Sequence, residues 1–186
     1  MQGKPPDPIV VVDYDPIWPK TFQTLRARLE AVLGPLALAI EHVGSTAVPG
    51  LPAKPIIDID VVVIGQSEVT MAIERLSSAG YTHIGDLGVI GREAFESPEG
   101  SLEHHLYVCS QDSRELHRHL AFRDYLRSHP KTAREYATLK RELAVKFKND
   151  REAYADAKTS FVEQVLKDAE STDGPRRWER VADSRF

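Results

Sequence analysis

Hydrophobic positions along this chain recur with two different periods. Trp18, Phe22, Leu25, Leu29 and Val32 advance in steps of four and three, the repeat of one helical face. Asp15-Pro16 offers that helix an N-cap and a proline for its first position, and Gly34 offers a stop. Residues 9–12 form a short β-branched run, read as an edge strand, and residues 36–43 are apolar enough for a buried one. Residues 44–55 hold two glycines and three prolines with no helical repeat, the composition of a loop. Residues 56–64 form the strongest strand signal, with six β-branched residues besides Ile59, interrupted by Asp58 and Asp60.

The next helix is expected from a Ser67 cap, along the stripe Val69, Ala72, Ile73 and Leu76, to Gly80. Residues 81–84, 92–97 and 102–109 read as three further strands, the last two joined by a turn at residues 97–100. From Asp112 the period becomes helical throughout, predicting helices over 113–128, 131–148 and 150–169, broken at His129-Pro130 and Asn149-Asp150. Tyr136, Leu139, Leu143 and Phe147 line one such face, and Tyr154, Ala157, Phe161 and Val165 the next. Strands mixed with helices, followed by a run of helices, define an α+β class. The expected architecture is a mixed or antiparallel sheet flanked by helices, with a C-terminal helical layer over 113–168. One domain is expected over 1–186, with a core of about 10–168, a loose Pro-rich start at 1–8 and a disordered tail at 171–186.

Composition changes this picture little. At 186 residues with 41% hydrophobic and 28% charged residues, the chain needs no staples to bury a core. Its formal net charge of -4 argues against a dedicated nucleic-acid surface, while leaving room for a local basic pocket. The lone Cys109 permits no intrachain disulfide, which suits a reducing, cytoplasmic setting. The first eight residues lack the apolar core of a signal peptide, and no stretch approaches the ~20 apolar residues of a membrane span.

The chemistry concentrates at two places. Asp58 and Asp60 stand at i and i+2 in a strand, so their side chains share a face about 7 Å apart along it. Two carboxylates there either meet solvent or hold something positive between them, and a divalent cation completed by substrate phosphate fits such a pair. Upstream, Gly44-Ser45 is either an ordinary turn or a loop whose backbone N–H groups approach an anion, with the Ser45 hydroxyl added. The two features together are more specific than either alone.

A Gly-Ser followed by a carboxylate-x-carboxylate strand resembles the signature of the nucleotidyltransferase superfamily. More narrowly, the chain resembles the GrpB family over about residues 10–168. The residues that carry this are Tyr14-Asp15-Pro16-Ile17-Trp18-Pro19, the run from Glu41 to Leu51, Lys54-Pro55-Ile56-Ile57-Asp58-Ile59 and His104-His105-Leu106. Residues 121–127, 136–140 and 154–158 match as well. The resemblance implies Asp58 and Asp60 as ligands of Mg²⁺ or Mn²⁺, and Gly44 and Ser45 as the loop that cradles a triphosphate. It implies transfer of a nucleoside monophosphate from a nucleoside triphosphate to a small-molecule acceptor. The superfamily's third carboxylate has no Asp counterpart in 102–108, where alternation sets Glu103, His105 and Tyr107 on one face. Glu103 or a histidine serves there, or the third ligand is missing. The family more often has histidine where Tyr107 stands.

His42 and His105 are read either as metal ligands or proton-transfer groups near Asp58, or as hydrogen-bonding residues of the sheet. Zinc held by histidines and one carboxylate fits the same spacing. Lys54, Arg92, Arg123, Arg127, Lys140 and Lys158 are candidate phosphate partners. Arg123 and Arg127, at i and i+4, suit either a bidentate clamp or a solvated charged helix. Tyr136 and Tyr154 are expected in the core, His83 in a structural role, and His117 and His119 on a helix surface. Two alternatives to the transferase remain: a non-catalytic nucleotide or metabolite binding module, and a His/Asp metal-dependent hydrolase.

Overall fold

The computed structural model describes residues 8–172. Six helices and five strands follow in the order α1 (Trp18–Leu33), β1 (Ala39–Val43), β2 (Ile57–Val63), α2 (Gln66–Ser78), β3 (Thr82–Gly85), β4 (Glu93–Glu96), β5 (His104–Ser110), α3 (Arg114–Ser128), α4 (Pro130–Lys146), α5 (Arg151–Asp156) and α6 (Thr159–Thr172). The strands form one sheet in the order β1-β2-β5-β4-β3. Only β2 and β5 run parallel, and the other pairs are antiparallel, so the sheet is mixed, one of the two arrangements the sequence left open.

Alternation along β2 divides the molecule. Ile57, Ile59, Val61 and Val63 pack with Leu25, Leu29 and Leu33 of α1 and Leu76 of α2 on one face. On the other face Val62 and Cys109 meet Leu116 of α3. Beyond them, Leu126, Tyr136 and Val165 of α3, α4 and α6 close around Val48 and Leu51 of the loop after β1. That loop is therefore clamped inside the C-terminal helical layer. Tyr136 and Tyr154 are buried, as their stripes predicted.

Four local expectations shift. Residues 9–12 form no strand, because only Val12 bridges, to Ala53. Asp15 does not cap α1 directly: its carboxylate accepts from the Ile17 N–H, and the helix opens at Trp18 with Pro19 in its first turn. Gly65, rather than Ser67, occupies the N-cap of α2, since Ser67 turns its hydroxyl to Glu68. The helix expected over 150–169 is two, broken around Ala157 and Lys158. Ser171 and Thr172 still belong to α6, and the remainder of the expected tail lies outside the described residues, as do residues 1–7. No helix among the described residues is long and apolar enough to cross a membrane.

Candidate functional site

The α3-facing side of the sheet is polar where it should be apolar. In register, Asp58 stands between Val43 and His105, and Asp60 between Glu41 and Tyr107. Both aspartates thus project to the same face. Each carries an imidazole: His105 Nδ1–H donates to Asp58 Oδ1 at 2.8 Å, and His119 Nδ1–H donates to Asp60 Oδ2 at 2.7 Å. Asp58 and His105 are partly open to solvent, whereas Asp60 has no exposed surface.

Burial raises the Asp60 pKa above the carboxylate range, against the hydrogen bond and charge of His119. Burial pulls His119 down, but its hydrogen bond to Asp60 and that carboxylate's charge outweigh it and raise its pKa. Asp60 Oδ1 and the Nε of Arg92 are both buried without a hydrogen-bond partner. The Arg92 guanidinium lies 4.4 Å from the centre of the Tyr107 ring.

Gly44 meets the site by close approach. Its φ is +70°, and a Cβ added there would fall 2.2 Å from Asp58 Oδ2. The glycine is therefore needed to admit the Asp58 carboxylate against the backbone. Ser45 opens a single 3₁₀ turn, and its Oγ accepts from Lys140 Nζ at 2.9 Å and hydrogen-bonds Tyr136.

Three lysines from separate segments converge here. Lys54 lies near the end of the loop, Lys140 comes from α4, and Lys158 from the break between α5 and α6. Burial lowers the pKa of all three, to about 7 for Lys140 and about 8 for Lys158. Repulsion from Lys158 lowers Lys140 further, and repulsion from Lys54 lowers Lys158, while the Asp58 charge pulls all three back up. Three basic groups that repel one another beside a glycine-serine turn, Lys140 buried and Lys54 and Lys158 partly buried, are short of negative charge.

Other candidates stand apart. His42 lies on the opposite face, stacked on Phe22 and hydrogen-bonded to Thr46, with burial lowering its pKa to about 4. Glu103 precedes β5 and is exposed. Arg123 Nη1 donates to Glu41 at 2.7 Å and to the His42 carbonyl, and Arg127 donates twice to the Ala47 carbonyl. Both arginines thus tie α3 to β1 and the loop. His119, expected on a helix surface, instead faces the sheet. It shares the stripe Leu116, His119, Arg123 and Leu126, whose apolar ends are buried. Glu41 also belongs to this face, since it pairs in register with Asp60.

The ligand atoms suit a divalent cation: Asp60 Oδ1 has lone pairs that no group among the described residues uses, and Asp58 lies two residues away on the same face. Among the described residues, no three His, Cys, Asp or Glu side chains converge as a ready metal cluster.

The GrpB protein family model matches residues 8–168, so the chain belongs to the GrpB family. Among curated relatives, UPF0157 protein BH1888 of Halalkalibacterium halodurans is 41% identical over 165 residues, covering 88% of this chain and 84% of that protein. UPF0157 protein YqkA of Bacillus subtilis is 34% identical over 172 residues, covering 92% of this chain but only 48% of that longer protein. The crystal structure of conserved protein GrpB from Enterococcus faecalis superposes with a TM-score of 0.77 at 35% identity, covering 86% of this chain and 96% of that one. A distant likeness of fold extends to the Cid1 poly(U) polymerase, with a TM-score of 0.44 at 12% identity, over 70% of this chain and 44% of that one.

Proposed function

We propose that this chain is a metal-dependent nucleotidyltransferase that moves a nucleoside monophosphate from a nucleoside triphosphate to a small hydroxyl- or phosphate-bearing acceptor. The observation that carries this reading is the gathering of Lys54, Lys140 and Lys158 around the Asp58 charge, with Lys140 hydrogen-bonded to Ser45. A triphosphate supplies the negative charge that the three ammonium groups lack, and the Ser45 hydroxyl donates to one of its oxygens. Asp58 and Asp60 would hold Mg²⁺ or Mn²⁺, which when bound offsets phosphate charge and orients the α-phosphorus.

His105 is the candidate proton acceptor. Its Nδ1–H is fixed on Asp58, which leaves the Nε2 lone pair of a half-exposed ring for the attacking hydroxyl. An acceptor oxygen would form a bond to the α-phosphorus as its proton passes to His105. The bond to the bridging oxygen would break, and pyrophosphate would leave beside the lysines. His119 does not touch reacting atoms in this scheme; it holds Asp60 in place.

One observation favours a second reading, a nucleotide-binding module without turnover. Asp60 has no solvent-exposed surface, so a cation reaches it only if neighbouring side chains move. Incubation with triphosphates labelled at the α-phosphorus, Mn²⁺ or Mg²⁺ and a panel of small alcohols and sugar phosphates separates the two. Labelled adducts with equimolar pyrophosphate support transfer, and tight binding without pyrophosphate supports the module.

A further inference from the structure

A groove of about 700 Å³ lies on the other side of the loop that carries Ser45, between residues 49–52 and the helices α3 and α4. Its size falls within the range of small-molecule sites. Pro49, Pro130, Ala133 and Ala137 supply accessible apolar surface over the buried Leu51 and Leu126, and Arg127, Arg134 and Arg141 supply charge. Among the described residues no acidic side chain lines it, in a chain whose formal net charge is -4.

The three arginines are not equivalent. Arg127 is committed to the Ala47 carbonyl, and Arg141 pairs with Asp13 in an exposed contact that a ligand can exchange. Arg134 is exposed, and no acidic side chain pairs with it among the described residues. Arg134 and Arg141 are seven residues apart on one helix, hence on the same face and about 10 Å apart along its axis. Guanidinium groups above an apolar floor match a ligand with an apolar body and an anionic head that accepts a planar pair of hydrogen bonds.

We infer that this groove is a second binding site, distinct from the carboxylate face, for a small organic anion with an apolar body and a phosphate or carboxylate head. The loop makes the two sites neighbours. On α4, Lys140 holds Ser45 and the Pro52 carbonyl, while Ala137, Thr138 and Arg141 line the groove. An anion seated there therefore rests on the segment that presents Ser45. The inference does not depend on the nucleotide reading.

The test is amide NMR titration of the ¹⁵N-labelled chain with phenyl phosphate, and separately with benzoate. Saturable shifts at Gly50, Ala133, Ala137 and Thr138 with either probe support the site, and the tighter probe identifies the preferred head group. Inorganic phosphate and phenol, each carrying half of the chemistry, should bind there at least tenfold more weakly. Arg134→Glu, a surface change whose folding is checked by melting, should weaken the better probe at least tenfold. Shifts confined to Ser45, Lys54, Lys140 and Lys158, no saturable shifts, or unchanged affinity in folded Arg134→Glu would overturn it.

Discussion

His119 of α3 donates to Asp60 of β2 across 2.7 Å, and this contact joins the C-terminal helices to an interior strand of the sheet. Asp60 is wholly buried, so removing the imidazole leaves a carboxylate with no partner on either oxygen. His119→Ala should cost about 1–3 kcal/mol, the usual penalty for leaving a buried polar group unsatisfied, because the isolated carboxyl takes up a proton. In the double variant with Asp60→Asn the cost should fall well below the sum of the singles. Urea denaturation of the four proteins checks this, and additive costs would show that the contact carries no coupling.

Gly44→Ala should destabilise by about 3 kcal/mol, from a positive φ and from collision with the Asp58 carboxylate. Adding Asp58→Ala removes the contacts at 2.2 and 2.9 Å but leaves one at 3.0 Å and the φ penalty, so it should restore stability only in part. Thermal melts of both variants measure the split. A stable Gly44→Ala protein would show that the loop relaxes away from Asp58.

These two sites show what the sequence could and could not disclose. Gly44-Ser45 and Asp58/Asp60 were legible because a glycine-serine turn and an i, i+2 carboxylate pair are local patterns, and alternation alone puts both aspartates on one face. The partners were not local. His119 lies 59 residues from Asp60, and only the packing of α3 across the sheet brings them together. Lys140, 95 residues from Ser45, was named as a phosphate partner without its reach to the serine being visible. Arg123 and Arg127 sit at clamp spacing, yet their donors already serve Glu41, the His42 carbonyl and the Ala47 carbonyl. Spacing tells which residues share a face, not what that face meets.

His42 should make the fold acid-sensitive. Its pKa is about 4 when folded, against 6.5 as the ordinary value, so between those limits the unfolded chain binds the extra proton. Stability then rises with pH across this window and is lost as pH falls through it, by about 3 kcal/mol at most. His42→Asn should flatten the stability curve between pH 4 and 6.5. An unchanged slope in that variant would assign the acid sensitivity elsewhere.

Lys140 and Lys158, with pKa values of about 7 and 8, should couple anion binding to pH. A bound triphosphate favours their charged forms, so binding should take up protons at pH 8 and weaken as pH rises from 7 to 9. Calorimetry in buffers of different ionisation enthalpy reads the uptake directly. Binding without proton uptake at pH 8 would place the phosphates away from these lysines.

The most direct measurement is calorimetric titration of the protein with a nucleoside triphosphate in the presence of Mn²⁺ or Mg²⁺, repeated with a chelator and with Asp58→Asn. Asp58 is partly exposed, so the variant should keep its fold, as a melt without ligand verifies. Saturable binding that needs the divalent cation and weakens at least tenfold in Asp58→Asn is the predicted result. A folded protein that binds no triphosphate with either cation, or binds it equally well in Asp58→Asn, would contradict a metal-assisted nucleotide site on this face.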